Sequence, residues 1–416
     1  MHKKLFLLTV LLQVGILYLI GSDYEALQTD IAWDSEVLKK ALEEDLIQWE
    51  NDSNVNTEYT RYGVLHTGKS LNYLAMVAFY DKKNQYPQAP AKIAEHLRFV
   101  VSGGKEPCCR GTIAGWADNA LAQSITLAKY TPNVWNQFTD AEKEKLDWLM
   151  KALVIAGNYC QNLHNDIHVC LYQSFEWRKE WNPNHQEGYI GIMIAAWIYF
   201  GGANAVNKIF GEFDYDEYIS RFTDYGFTNI ISCWRSAGKN LMEHGGTDAQ
   251  GGKTMGVKIP FKYKSLAGFG EIDYDPALLY RDLSVRMFGH RVTSSNCDGK
   301  AFILDGSKSP YEGQPGMCFE FSTSDASGCR SSVRYVYDGW FNNILTAATM
   351  KAFGLLDSAD DKIQRMHVGT SDFLFKLQHG YNDYMHGQSR KAAESDLYNL
   401  GYIFMLDIYN KIFSKL

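Results

Sequence analysis

Proline is scarce in this chain, at nine of 416 residues, and no segment is of low complexity, so nothing marks a linker between domains. The length alone would suit two or three domains, but without linkers a single large helical domain is equally allowed. A basic excess is also lacking. Lys and Arg number 41 against 48 Asp and Glu, a net charge of −7, which removes long-range attraction for nucleic acid or an anionic membrane. An anionic substrate would have to be met by cations placed locally. No C-x-x-C pair occurs among the eight cysteines (Cys108, Cys109, Cys160, Cys170, Cys233, Cys297, Cys318 and Cys329), which argues against a zinc ribbon. In an exported chain these cysteines could pair, although adjacent Cys108 and Cys109 are awkward partners for each other. After residue 21 no apolar run is long enough to span a bilayer.

The N-terminus is the exception. His2, Lys3 and Lys4 precede an apolar run from Leu5 to Gly21, and the polar stretch SDYEALQTD follows at once. That layout predicts a secretory signal peptide over residues 1–22 and a single domain over 23–416, secreted or periplasmic. The length of the run, without a clean small-residue cleavage pattern, also allows an uncleaved membrane anchor. One N-x-S sequon, Asn51-Asp52-Ser53, matters where the host glycosylates.

Aromatic residues are abundant at 14%, with 26 Tyr, 22 Phe and 10 Trp. Sugar rings stack their C–H faces on aromatic planes, so an exported chain of this composition suits a carbohydrate-active protein, while most of these rings will simply build the core.

Helical periodicity dominates. SEVLKKALEEDLIQW sets Val37, Leu38, Ala41, Leu42, Leu46 and Ile47 on one face. Further helices are predicted over GKSLNYLAMVAFYD, PAKIAEHLRFVV and GTIAGWADNALAQSITLAKY. Thr139 and Glu142 form a capping box before KEKLDWLMKALVIAGNYC. The remaining helices are EGYIGIMIAAWIYFGGANAVNKIF, DEYISRFTDYGFTNIISCW, PALLYRDLSVRMFG, GWFNNILTAATMKAFG, ADDKIQRMHVGTSDFLFKL and AESDLYNLGYIFMLDIYNKIF. Residues 191–200 are apolar nearly all round, as befits a helix covered on both sides. The expected fold class is all-α, an (α/α) toroid or barrel of six or seven helical hairpins, with a long irregular region from Ala237 to Gly339 as lid or cleft wall.

YGVLHTGKS matches the phosphate-binding pattern G-x-x-x-x-G-K-[ST] at Gly63, Gly68, Lys69 and Ser70, and AFILDG at Ala301 to Gly306 mimics its Mg²⁺-holding partner. The residues before Gly63 are polar and cannot be the buried strand such a loop needs. We expect residues 63–70 to shape a loop entering a helix.

Four polar clusters are candidate sites. WNPNHQEGYIG puts Asn182, Asn184, His185, Gln186, Glu187 and Tyr189 in a turn leading into a very apolar helix, where Asn184 could instead serve as a cap. EHGGTDAQGG places Glu243 and His244 beside glycines that let a ligand approach. CRSSVRYVYDGW gathers Arg330, Arg334, Tyr335 and Tyr337 with Asp338; guanidiniums suit a carboxylate, and a nearby cation lowers a tyrosine pKa. HNDIHVC spaces His164 and His168 four apart, but without the glutamate of a metalloprotease helix, so no metal site is assigned.

These residue types suit β-elimination on a uronate polymer. A cation or amide neutralises the carboxylate, a base takes the α-proton, and an acid protonates the departing oxygen. Glycoside hydrolysis needs instead two spaced carboxyl groups, for which Glu187, Glu243, Asp248 and Asp338 are candidates. A non-catalytic glycan-binding protein is the third reading.

With its signal peptide, enclosed helices and His/Tyr/Arg clusters, the chain resembles the exported helical-toroid polysaccharide lyases, and among them family thirty-eight, (α/α)-barrels acting on alginate or glucuronan. That resemblance covers most of residues 23–416. The chain is expected to be a monomer working on an anionic polysaccharide without an obligatory cofactor. The resemblance implies His185 or His244 with Tyr337 or Tyr335 as base and acid, and Arg334, Arg330, Asn184 or protonated Glu243 as carboxylate neutraliser. Trp116, Trp181, Tyr189 and Trp340 would stack on sugars.

Overall fold

The computed structural model describes residues 31–44, 58–102, 111–162, 183–212, 214–227, 344–355 and 402–413, together with six short strands between 262 and 332. The architecture is all-α in its core. The helices are α1 (Ser35–Glu43), α2 (Glu58–Tyr80), α3 (Gln88–Val101), α4 (Gly111–Lys129), the short α5 (Pro132–Trp135), α6 (Asp140–Asn162), α7 (Pro183–Phe200), α8 (Ala203–Gly211), α9 (Tyr215–Tyr225), α10 (344–352) and α11 (Tyr402–Ile412).

Local chemistry sets many of these boundaries. Asp34 caps α1, accepting from the Glu36 and Val37 amides at 2.9 and 3.0 Å, and Asp214 caps α9 through the Glu217 amide at 3.0 Å. The capping box forms as predicted: the Thr139 amide donates to Glu142 Oε2 at 2.7 Å, and the Glu142 amide donates to Thr139 Oγ1 at 3.3 Å. Two predicted helices are shorter than expected. The segment from Glu187 to Phe210 breaks at Gly201 and Gly202, with φ of +82° and +119°, and α9 ends at Gly226 in the left-handed region, where only glycine sits without strain.

Packing divides the helices into two kinds. α4 lies between α2 and α7. Along these three, residues 69–80, 118–128 and 191–196 are buried without a break, as are 344–350 of α10. The helices α3 and α6 pack on this inner set with one face and keep the other in solvent. Residues such as Leu74, Val77, Ile125 and Ile194 are fully enclosed, each stabilising the fold by roughly 1.5–3 kcal/mol.

Lysines close the helix ends. Lys92 donates to the Leu42 carbonyl at the end of α1, Lys145 to Val101 of α3 at 3.1 Å, Lys129 to Tyr199 of α7 at 2.8 Å and Lys351 to Ile412 of α11 at 3.0 Å. Each satisfies an otherwise orphaned carbonyl and places a cation at the negative end of a helix dipole. The first and last described helices are joined through Asp407 of α11, which accepts from the Tyr73 hydroxyl at 2.6 Å and the Asp34 amide at 3.2 Å.

Two sequence expectations change. Residues 63–70 do not shape a loop; they lie inside α2, whose backbone N–H groups bond to preceding carbonyls and cannot cradle a phosphate. AFIL is β4 (Ala301–Leu304), paired antiparallel with β3 (His290–Thr293), so it is no strand of a parallel sheet. Two more ribbons, β1 (Lys262–Lys264) with β2 (Glu271–Asp273) and β5 (Glu320–Ser322) with β6 (Arg330–Ser332), give the expected irregular region some strand structure. The helices predicted over 276–289 and 359–377, the cysteine pairings, His164 and His168, and residues 1–22 lie outside the described residues. Among the described residues no helix is long and apolar enough to cross a membrane.

Candidate functional site

The enclosed helices share a direction. Side chains of α4, and of Tyr130 just past its end, donate to backbone carbonyls of α7: Gln123 Nε2 to Gly191 at 2.8 Å, Thr126 Oγ1 to Ala195 at 3.2 Å, Lys129 Nζ to Tyr199 at 2.8 Å and Tyr130 OH to Ile198 at 3.1 Å. The earlier donors reach the earlier part of α7 and the later donors its end, so α4 and α7 run parallel. Phe353, just past α10, meets Phe79 of α2 at 5.4 Å and Tyr130 at 5.0 Å between ring centroids, which brings the C-terminal ends of α2, α4 and α10 together. That end is aromatic.

The other direction is polar. Lys69, Ser70 and Asn72 on α2 and Asp118, Asn119 and Gln123 on α4 are all buried. The amide of Gln123 donates to Asn119 Oδ1 at 3.1 Å as well as to Gly191. Asn119 lies hard against Gly191, where a Cβ would sit 2.3 Å from Asn119 Oδ1 and 2.6 Å from its Cγ. Asn72, Gln123 and Thr346 each fall seven residues before one of the three converging aromatics, two helical turns or about 10 Å along the axis. Both amide atoms of Asn72, Gln123 Oε1 and Thr346 Oγ1 have no hydrogen-bond partner, so an uncharged polar level crosses the enclosed helices.

This polar set was missed in the sequence. The signal present was the run of Lys69, Ser70 and Asn72, and of Asp118, Asn119 and Gln123, on helices whose following turns, LAMVAFY and SITLA, are mostly apolar.

The α7 expectation needs correction. Asn184, His185, Gln186 and Glu187 do not form a turn ahead of the helix; they lie in its opening turns, because Pro183 has a fixed φ suited to the first helical position. Asn184 is therefore within the helix rather than its cap. The parallel register brings two candidates to one level: seven residues before the Gln123–Gly191 pair stand Trp116 on α4 and Asn184 on α7. His185 follows at once, and Tyr189 is one turn on. Arg330 begins β6. Trp181, Glu243, His244, Arg334, Tyr335, Tyr337 and Trp340 lie outside the described residues.

Several described tyrosines are unsuited to proton transfer. Tyr73 and Tyr199 are pushed far above the ordinary phenol value, first by burial and then by the carboxylates of Asp407 and Asp147. Both stay protonated and belong to the core. Among the described residues no group of three His, Cys, Asp or Glu side chains could hold a metal ion.

Over 315 residues, 72% of this chain, the sequence is 33% identical to a protein described as a gellan lyase from Bacillus sp.. The matched part is 12% of that protein, so the chain spans about an eighth of its length. No family model and no solved structure matches the chain.

Proposed function

We propose that this chain is an exported, monomeric polysaccharide lyase of a single (α/α)-toroid domain, with α2, α4 and α7 among its inner helices. It cleaves a 1,4-linked uronate polymer by β-elimination, without an obligatory cofactor. The observation that carries the reading is the extended identity with the gellan lyase. Its support in the fold is the parallel set of enclosed helices, polar towards their N-terminal halves, whose positive dipole ends favour an anionic chain at that mouth.

In this reaction the uronate carboxylate is neutralised by hydrogen-bond donors, for which Asn184, Arg330, Arg334 and Glu243 are the candidates. A base, His185 or His244, takes the proton on the carbon α to the carboxylate. That electron pair forms the C4=C5 double bond as the C4–O bond breaks. The departing oxygen takes a proton from Tyr337 or Tyr335. Trp116, Trp181, Tyr189 and Trp340 stack on flanking sugars. Alginate and glucuronan are the substrates implied by the resemblance to family thirty-eight, and gellan joins them through the relative's name.

The test is ultraviolet absorbance of the purified protein with alginate, glucuronan, pectate, gellan and a glycosaminoglycan in turn. A rise with one polymer marks the conjugated double bond and identifies the substrate. New reducing ends without absorbance would replace the lyase with a hydrolase using Glu187, Glu243, Asp248 or Asp338. An intact polymer that still binds would make the protein a glycan-binding one. His185→Ala, His244→Ala and Tyr337→Phe separate the competing acid and base candidates: turnover at the wild-type rate removes a residue from the mechanism.

A further inference from the structure

α7 presents a physical difficulty. From Gly191 to Phe200 it is apolar on every side and covered almost throughout. Burial of apolar surface is non-directional, so a helix of this kind gains nearly the same stabilisation in any rotation about its own axis. Turning α7 by one residue would swing its face through about 100°, carrying Asn184 and His185 round to another side of the helix axis while their level stays the same. Something other than hydrophobic contact has to choose the rotation.

We infer that the Gln123–Asn119–Gly191 contact is the rotational key of α7, and that Gln123 is a positioning residue for the opening turns that carry Asn184 and His185. Three observations meet here. Gln123 donates from one amide to both the Gly191 carbonyl and Asn119 Oδ1, so it holds α7 and its own helix neighbour in one geometry. Only a position without a Cβ can face Asn119 at this distance, and α7 offers Gly191 there. All three residues are buried, where a misplaced polar group loses water without gaining a partner. The other rungs from Thr126, Lys129 and Tyr130 fix the far end of α7, two or more turns from His185. The catalytic consequence rests on the lyase reading; the structural claim does not.

The experiment compares wild type with Gln123→Leu, which keeps the volume and removes the donor, and with Gln123→Glu, which keeps the length and loses the donor when ionised. Thr126→Val, removing a rung farther along, is the control. Hydrogen exchange over residues 184–190 should quicken at least about tenfold in both Gln123 variants and not in Thr126→Val. With an active polymer, kcat should fall on the order of a hundredfold, as misplacement near 1 Å does, while KM changes little. Unchanged exchange, or wild-type kcat and KM in a folded Gln123 variant, overturns the key. If wild type cleaves no polymer, the lyase reading fails by itself, and the exchange result alone still decides whether Gln123 sets α7. If neither Gln123 variant folds, Asn119→Ala is measured in the same way, with the same outcomes for and against.

Discussion

Gly191→Ala sets two physical effects of opposite sign against each other. In a helix interior, alanine is favoured over glycine by about 1 kcal/mol, so propensity alone makes the variant more stable. The structure reverses the expectation. The new Cβ would stand 2.3 Å from Asn119 Oδ1 and 2.6 Å from its Cγ and Nδ2, closer than any real contact, so the Asn119 amide has to move. Overpacking of this kind costs about 1–3 kcal/mol. Displacing Asn119 also breaks its bond from Gln123 in a buried place, a further loss of about 1–3 kcal/mol. Setting the propensity gain against these leaves a net destabilisation of roughly 1–5 kcal/mol. Urea unfolding of wild type, Gly191→Ala, Asn119→Ala and the double variant reads this directly. Asn119→Ala removes the obstacle, so the double variant should be no less stable than Asn119→Ala alone. A Gly191→Ala protein as stable as wild type, or more so, would show that the Asn119 amide does not lie against α7 and would remove the ground for the rotational key.

Further outcomes follow from single contacts. Asn72→Leu should leave the midpoint of thermal unfolding unchanged or higher, because both amide atoms of Asn72 are buried without a partner; a marked fall would mean that the amide is satisfied. Thr139→Ala should cost about 1 kcal/mol in denaturant unfolding through loss of the α6 cap, and an unchanged midpoint would mean that the capping box contributes nothing. Burial raises the Asp407 carboxyl above its ordinary value despite the bonds from Tyr73 and Asp34, so the folded state holds that proton more tightly than the unfolded chain. Its contribution to stability is then greatest below the ordinary aspartate range and falls as pH rises through the elevated value. Relative to Asp407→Asn, wild type should lose stability across that window and level off above it, as unfolding at a series of pH values would show; a difference that grows with pH would reverse the sign.

Much of the helical framework was legible in the chain. The Thr139–Glu142 box, the face carrying Leu38 and Ala41 of α1, and the all-round apolarity of α7 are written in local spacing, and local spacing is enough because helix bonds join residues only four apart. Boundaries set by a single residue were harder. Pro183 starts α7 earlier than the polar run suggested, and Gly202 ends it where apolar periodicity would have carried on. The loop expected over residues 63–70 failed for the same reason in reverse: four residues of fixed spacing look identical in a loop and in a helix, and only the flanking backbone distinguishes them.

The sequence by itself determined an all-α, aromatic-rich chain with an apolar run from Leu5 to Gly21 and clusters of His, Tyr, Arg and Asn. Tertiary structure decided which of those residues share a level. Trp116 and Asn184 are 68 positions apart in the chain, and nothing in either helix relates them until Gln123 reaches the Gly191 carbonyl and fixes the register of α4 on α7. The same holds for the polar residues Lys69, Asn72, Asp118 and Asn119. In sequence Lys69 belongs to a motif match and the others stand in predicted helices without an assigned role, and they are interior because α4 is covered on both sides by α2 and α7. Periodicity reports how a helix is patterned. Which neighbours cover it depends on contacts far apart in the chain, and those are set by packing.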